Sequence, residues 1–321
     1  MPAVETVLGQ VQASELGITL PHEHLFINLM RERRGDGLIN DEVLVAEEVS
    51  VFRGQGGRTI VDLSTHDLTV GSTLGSRGAT ATQSRIPENV DAIVRLSRAS
   101  GLHVVLGTGH YRDPFLDHTY FDTHSVDEIA AGIVRDLTEA IPGTDVRAGV
   151  IGEIGSDKWF ISAREERSFR AAARASVRTN AGLYTHAARW PVGLVQLDLL
   201  AEESVAPDRV AVGHVDTVPK PDYALALARR GVYVGIDTMF DESPRAIAIR
   251  VDLVLRLVKA GFSNRVLLSQ DVCVSSQLQA GGGPGFGLVH GTFKMAVLAG
   301  GLDEELFRSI TTVNPARFLA G

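Results

Sequence analysis

The chain has 321 residues, 44% of them hydrophobic, with 31 basic and 39 acidic side chains and a formal net charge of −8. That length is within reach of one α/β barrel, and the acidic balance argues against a nucleic-acid partner, whose affinity rests mainly on neutralised phosphates. The single cysteine, Cys273, excludes an intrachain disulfide, and no apolar run reaches the roughly 18–20 residues that span a bilayer.

The first residues lack the basic start and apolar core of a signal peptide, so a cytoplasmic protein with no membrane partner is expected. Residues 6–16 read as a small hairpin. Eight short apolar runs follow, at 17–20, 59–63, 104–106, 146–151, 183–184, 210–212, 232–236 and 266–268. They are continuous rather than alternating, as parallel strands buried on both faces are. Amphipathic stretches at 89–99, 126–140, 164–179, 194–203, 222–230 and 244–259 read as helices. Several end at a glycine suited to a helix terminus, namely Gly101, Gly182, Gly231 and Gly261. The Gly281-Gly282-Gly283-Pro284-Gly285 stretch reads as a mobile loop, not a domain boundary.

Eight strand-then-helix units predict a single (β/α)8 TIM barrel spanning residues 1–321, with an N-terminal hairpin and a C-terminal helical segment. An open doubly wound sheet would normally place a glycine-rich fingerprint after its first strand. Here the first strand ends in Pro21-His22-Glu23-His24.

That ending introduces a pattern. Five of the runs carry a metal-type side chain where they finish: His22 and His24, Glu153, His186, His214 and Asp271. In a parallel barrel all those ends meet on one face, where active sites of this fold lie. His22 and His24 are two apart, so on a strand they point to the same side and can share an ion. Four histidines and two carboxylates fill a two-ion site that keeps positions for solvent or substrate. His66 and His110 follow the second and third strands and read as pocket or supporting residues. His103, His118, His124 and His290 have no such placement and read as ordinary surface or core histidines.

At this point the sequence resembles the phosphotriesterase family of the amidohydrolase superfamily. The resemblance rests on Pro21-His22-Glu23-His24, Arg147-Ala148-Gly149-Val150-Ile151-Gly152-Glu153-Ile154-Gly155, Thr185-His186, Val212-Gly213-His214-Val215-Asp216, Val234-Gly235-Ile236-Asp237, Leu268-Ser269-Gln270-Asp271 and Asn314-Pro315-Ala316-Arg317-Phe318. It implies that His22, His24 and Asp271 bind a buried ion, that His186 and His214 bind a more exposed one, and that the fourth strand supplies the bridge. In the best-known members the bridge is a carboxylated lysine. Here it is Glu153, whose own carboxylate offers both oxygens, and Lys158 is a poor substitute. Thr238 follows Asp237 where phosphotriesterases carry histidine and several lactonases arginine. Asp216 is expected to orient a ligand or accept a proton at second hand, and Tyr111 matches an aromatic position lining the family's pocket.

Two divalent ions, zinc by default with cobalt, manganese or iron as options, would lower the pKa of a shared water toward neutrality. Asp271 would then move its proton to the leaving group, and Tyr111 would hydrogen-bond the reacting oxygen. Met239, Phe240, Val272, Cys273, Phe286 and Leu288, in the loops after the last two strands, are expected to line an apolar pocket. With the family's lactonase members, this makes a lactone, an N-acyl-homoserine lactone among them, the first choice of substrate. Phosphotriesters, carboxylic esters and N-acyl amides are the alternatives, and a metal-containing binding protein without catalysis is the reading from another class. A homodimer is left open.

Overall fold

The computed structural model describes residues 2–69, 82–218 and 220–321. Strands β1 (Ala3–Thr6) and β2 (Gly9–Gln12) form the expected antiparallel hairpin, in register Ala3 to Gln12. Strand β3 (Ile18–Glu23) follows, then the short pair β4 (Ile27–Asn28) and β5 (Leu38–Ile39), helix α1 (Glu42–Gly54) and β6 (Gly57–Asp62). Next come α2 (Pro87–Ser100), β7 (His103–Thr108), α3 (His118–Thr123), α4 (Val126–Thr138), β8 (Val150–Gly155), α5 (Ala163–Thr179) and β9 (Leu183–His186). The chain ends with α6 (Gly193–Glu202), β10 (Val210–Gly213), α7 (Pro221–Arg229), β11 (Tyr233–Ile236), α8 (Pro244–Lys259), β12 (Val266–Leu268), α9 (Lys294–Ala299) and α10 (Glu304–Ala320).

The sheet runs β12-β11-β10-β9-β8-β7-β6-β3 with every pairing parallel. It curls into a nearly closed (β/α)8 barrel. Alternation along the strands explains why their sequences are apolar throughout. Val61, Val105, Tyr184, Ala211, Tyr233 and Leu267 pack with one another, whereas Ile60, Val104, Leu183, Val212, Val234 and Val266 belong to the layer shared with the helices. Phe318 of α10 joins the first set, its ring 5.5 Å from Tyr233 and 5.8 Å from Tyr184, and closes the end away from the site.

The helices begin where local chemistry allows. Ser125 and Ser162 cap α4 and α5 in reciprocal capping boxes with Glu128 and Glu165, and proline opens α2, α7 and α8. Glycine in the left-handed region follows α2 at Gly101, α7 at Gly231 and α8 at Gly261. After α5 that position belongs to Asn180 rather than Gly182, whose added Cβ would lie 3.0 Å from Phe318. Gly182 is there for close packing, not for a turn.

The expected strand at 146–151 begins only at Val150 and continues to Gly155, so Glu153 lies within β8 rather than beyond it. The glycines at 281–285 are a second correction, for they do not form a loose loop. A Cβ on Gly281 would meet the Ser275 carbonyl at 2.1 Å, and one on Gly285 would meet Glu48 Oε2 at 2.5 Å. The buried Glu48 carboxylate of α1 accepts the amides of Gln279 and Ala280 at 3.0 and 2.9 Å, which ties the segment to the barrel wall.

Candidate metal centre

All six expected ligands come together at the C-terminal end of the barrel. His22 lies on β3 and His24 one residue past it. Glu153 is on β8 and His186 ends β9. His214 follows β10, and Asp271 lies three residues beyond β12. His214 and Asp271 both adopt positive φ, 58° and 53°. That backbone costs a non-glycine residue roughly 1–2 kcal/mol and persists where surroundings over-determine it. Here the His214 amide donates to Asp237 Oδ1 at 2.7 Å and the Asp271 amide to the His22 carbonyl at 3.2 Å.

Glu153 stands between two sets of donors. His22, His24, Glu153 and Asp271 offer ligand atoms within 4.8 Å of one another, and so do Glu153, His186 and His214. His24 Nε2 lies 3.5 Å from Glu153 Oε1 and 3.2 Å from Asp271 Oδ1. On the other side, His186 Nδ1 and His214 Nε2 lie 3.0 and 3.1 Å from Glu153 Oε2. His22 Nε2 is buried without a hydrogen-bond partner and faces Glu153 at 3.4 Å and Asp271 at 3.7 Å. An unpaired ring nitrogen aimed at carboxylates, within a set of imidazole and carboxylate donors, fits a divalent transition-metal ion.

The outer ring nitrogens are anchored, which turns the others toward the centre. Asp237, just past β11, receives His22 Nδ1 at 3.0 Å on Oδ2 and His214 Nδ1 at 3.1 Å on Oδ1, and Tyr184 donates its hydroxyl to Oδ2 at 2.6 Å. His24 Nδ1 rests on the Ser64 hydroxyl at 2.9 Å. Asp237 is itself a strand-end acid in the sequence. The signal that placed the ligands applied to it equally.

Charge follows the same geometry. Burial opposes the charging of His22, but Asp237 and Glu153 outweigh it and hold its pKa at about 10. Burial is likewise overcome at His24, where Asp271 and Glu153 hold it at about 9. His186 is the exception: burial, joined by His214 and Arg112, depresses it to about 4. Burial would raise Glu153, yet the neighbouring histidines hold it well below the carboxylate range. The centre draws positive charge onto itself, and a divalent cation can supply that charge in place of protons.

Tyr111 is buried with its hydroxyl 3.2 Å from His186 Nδ1 and its amide donating to Asp67 at 2.7 Å. Arg112 covers its ring and pairs with Glu32 and Asp157. His66 and His110 stand 6.0 Å apart and belong to neither ligand group; His66 Nδ1 bonds the Ser84 carbonyl at 2.7 Å. Lys158 is exposed beside Phe160. His290 is packed between Phe52 and Phe307.

Two expectations change. Asp216 is not a free proton acceptor: Oδ1 receives the amides of Asp237 and Thr238 at 3.3 Å each, and Oδ2 receives Arg250 Nε at 2.8 Å. The Thr238 hydroxyl oxygen lies 3.3 Å from His214 Nδ1. Nor do the loop apolar residues form a lining as a set, because Met239, Val272, Phe286 and Leu288 are at most 2% exposed and belong to the core. Of the expected set Phe240 is exposed, and Met30, Trp159, Phe160 and Trp190 are further exposed apolar side chains on segments that follow barrel strands.

Residues 2–319 match the family model described as the phosphotriesterase family. The phosphotriesterase homology protein of Escherichia coli is 30% identical over 303 residues, 94% of this chain and 97% of that one. Its crystal structure, with phosphate in the active site, superposes with a TM-score of 0.84 over 95% of this chain and 99% of that one. An aryldialkylphosphatase of Saccharolobus solfataricus is 30% identical across 82% of this chain and 79% of its own. The structure of a resiniferatoxin-binding protein from Rhodobacter sphaeroides is 28% identical, with a TM-score of 0.87 over 99% of this chain and 95% of that one. With the barrel, the strand-end ligand set and these matches in agreement, the chain belongs to the phosphotriesterase family, whose members include metal-dependent hydrolases.

Proposed function

We propose that the protein is a hydrolase with two divalent ions, zinc by default, that opens lactones or related esters within one barrel domain spanning the chain. Cations held by the His22–His24–Asp271 and His186–His214 groups, bridged by Glu153, would acidify water and polarise a carbonyl. The observation that carries the substrate reading is the placement of Tyr111 and Asp271 on opposite ligand groups. The Tyr111 hydroxyl lies 3.2 Å from His186 Nδ1, and an Asp271 oxygen lies 3.2 Å from His24 Nε2.

Burial and the nearby Glu153 raise the Tyr111 phenol above its ordinary range, so it keeps its proton at neutral pH. Were His186 to hold a cation, the Tyr111 hydroxyl would be left to donate to a substrate oxygen. Asp271 takes the proton of the attacking water and passes it to the leaving oxygen. A lactone expels an aliphatic alkoxide, too basic to depart without that proton, and so needs both groups. The exposed apolar side chains Trp159, Phe160, Trp190 and Phe240 at the same end favour a substrate with an apolar portion.

Two other readings have support. Likeness to the aryldialkylphosphatase favours phosphotriesters, and likeness to the resiniferatoxin-binding protein favours binding without turnover. Metal-loaded protein assayed on lactones, aryl esters, aryl phosphotriesters and N-acyl amides separates them. Lactone turnover above all others is expected. Turnover of triesters alone would replace the substrate, and no turnover of any class would favour the binding protein.

A further inference from the structure

Among the described residues, the barrel has one seam, between β12 and β3, with no ladder of paired strand residues. The first ligand group spans it, with His22 and His24 on one side and Asp271 on the other. What joins the two edges is a short set of hydrogen bonds. The His22 amide donates to Ser269 Oγ at 3.0 Å, and the Asp271 amide donates to the His22 carbonyl at 3.2 Å.

The remaining bonds converge on one side chain. Glu23 lies between the two histidines on β3, so its side chain points away from theirs, and it is fully buried. Its Oε1 accepts the Ser269 hydroxyl and the Gln270 amide, both at 2.8 Å, and its Oε2 accepts the Val272 amide at 2.9 Å. Three consecutive amides, those of Gln270, Asp271 and Val272, are thereby tied to β3. Of the two peptide groups that meet at Asp271, one donates the Val272 amide to Glu23 and the other donates the Asp271 amide to the His22 carbonyl, and between them Asp271 holds a φ of 53°. The direction of the Asp271 carboxylate is set by these two peptide planes, one held by Glu23 itself and the other by the β3 backbone beside it.

From this we infer that Glu23 is a positioning residue, which sets the cation affinity of the His22–His24–Asp271 group by holding Asp271 across the seam. The inference rests on the metal reading proposed above. Glu23 belongs to none of the groups that could hold an ion. A carboxylate that merely satisfied buried amides would affect folding stability and leave the ions alone, which gives the test its contrast.

Full-length wild type, Glu23→Gln and Glu23→Asp are stripped of metal and titrated with Co2+ against a competing chelator, and their visible spectra are recorded. Glu23→Gln keeps the size of the side chain but turns an NH2 toward an amide. It is expected to lose about 10–100-fold in affinity for one of two ions, with an altered spectrum for that ion and little change in the other. Glu23→Asp keeps both acceptors on a shorter arm and should fall between wild type and Glu23→Gln. Should Glu23→Gln fail to fold, Ser269→Ala decides, because it removes the hydroxyl linking Glu23 to the His22 amide. It should weaken the same ion, by less. Two ions bound at wild-type affinity with an unchanged spectrum, in the folded Gln variant or failing that in Ser269→Ala, would overturn the inference, as would equal weakening of both ions. A wild type that binds fewer than two ions contradicts the metal reading itself and removes this inference with it.

Discussion

Replacing Asp237 with asparagine should weaken the binding of one ion rather than of both. Each oxygen of Asp237 serves two donors: Oδ1 receives the His214 amide at 2.7 Å and His214 Nδ1 at 3.1 Å, and Oδ2 receives the Tyr184 hydroxyl at 2.6 Å and His22 Nδ1 at 3.0 Å. Asparagine keeps one acceptor and turns the other into an NH2. The His214 backbone amide cannot change its role, so the retained oxygen faces His214. The new NH2 then faces Tyr184, whose hydroxyl can rotate to accept, and His22 Nδ1, which must become the bare nitrogen. That moves the His22 proton to Nε2, the atom that faces Glu153 and Asp271.

Supporting contacts of this kind are worth about 10–100-fold in metal affinity, or roughly 1.4–2.8 kcal/mol. Asp237→Asn should therefore weaken the ion of the His22 group by that amount and leave the His186–His214 ion close to wild type, whereas Asp237→Ala should weaken both. Co2+ titration against a chelator, with metal counted per chain, reads the difference. Equal loss of both ions in the asparagine variant, or no loss at all, would refute the tautomer argument.

Other consequences are measurable. Asp271→Asn should reduce kcat/KM on a lactone more than on an aryl ester, since a phenolate leaves without the proton that general acid assistance supplies at about 10²–10⁴-fold; metal content measured in the same variant separates its two roles, and equal losses with both ions bound would remove Asp271 as the proton carrier. Because Glu153 already carries a carboxylate and Lys158 is exposed away from the ligand groups, added bicarbonate during reconstitution should not change activity; a strong requirement would point to a modified lysine. Burial and the nearby Lys294 depress His290 to about 4, against about 6.5 unfolded, so its contribution is intact above pH 6.5 and is lost as the pH falls from there toward 4. Metal-free wild type should lose about 2 kcal/mol more stability than His290→Gln between pH 7 and pH 5 in urea unfolding, and parallel losses would contradict that burial.

The candidate ligands were legible because each lies at or near the end of an apolar run, and in a parallel barrel that end fixes both height and face. Partners across the barrel were not. Asp237 bonds His22 over 215 residues of sequence and Glu23 bonds Val272 over 249, and no local spacing encodes such pairs. The apolar residues of the last two loops misled for a related reason. Loops have no periodicity to tell a core face from a pocket face, so Met239 and Phe286 read alike whether packed or lining. Helix α1 was there to be read, with Asp41 as its cap and Val45, Val49 and Phe52 buried at helical spacing. Asp216 kept its family position, but Arg250 on α8 decides what it can do, and that pairing depends on the fold.

If Glu153 bridges two ions in the working protein, full activity requires both. Metal-free protein is loaded stepwise with Zn2+ or Co2+, and bound metal per chain and hydrolytic rate are measured on the same samples. Activity should climb until two ions are bound per chain and level off there. Full activity reached at one ion per chain, or retained with none, would contradict it.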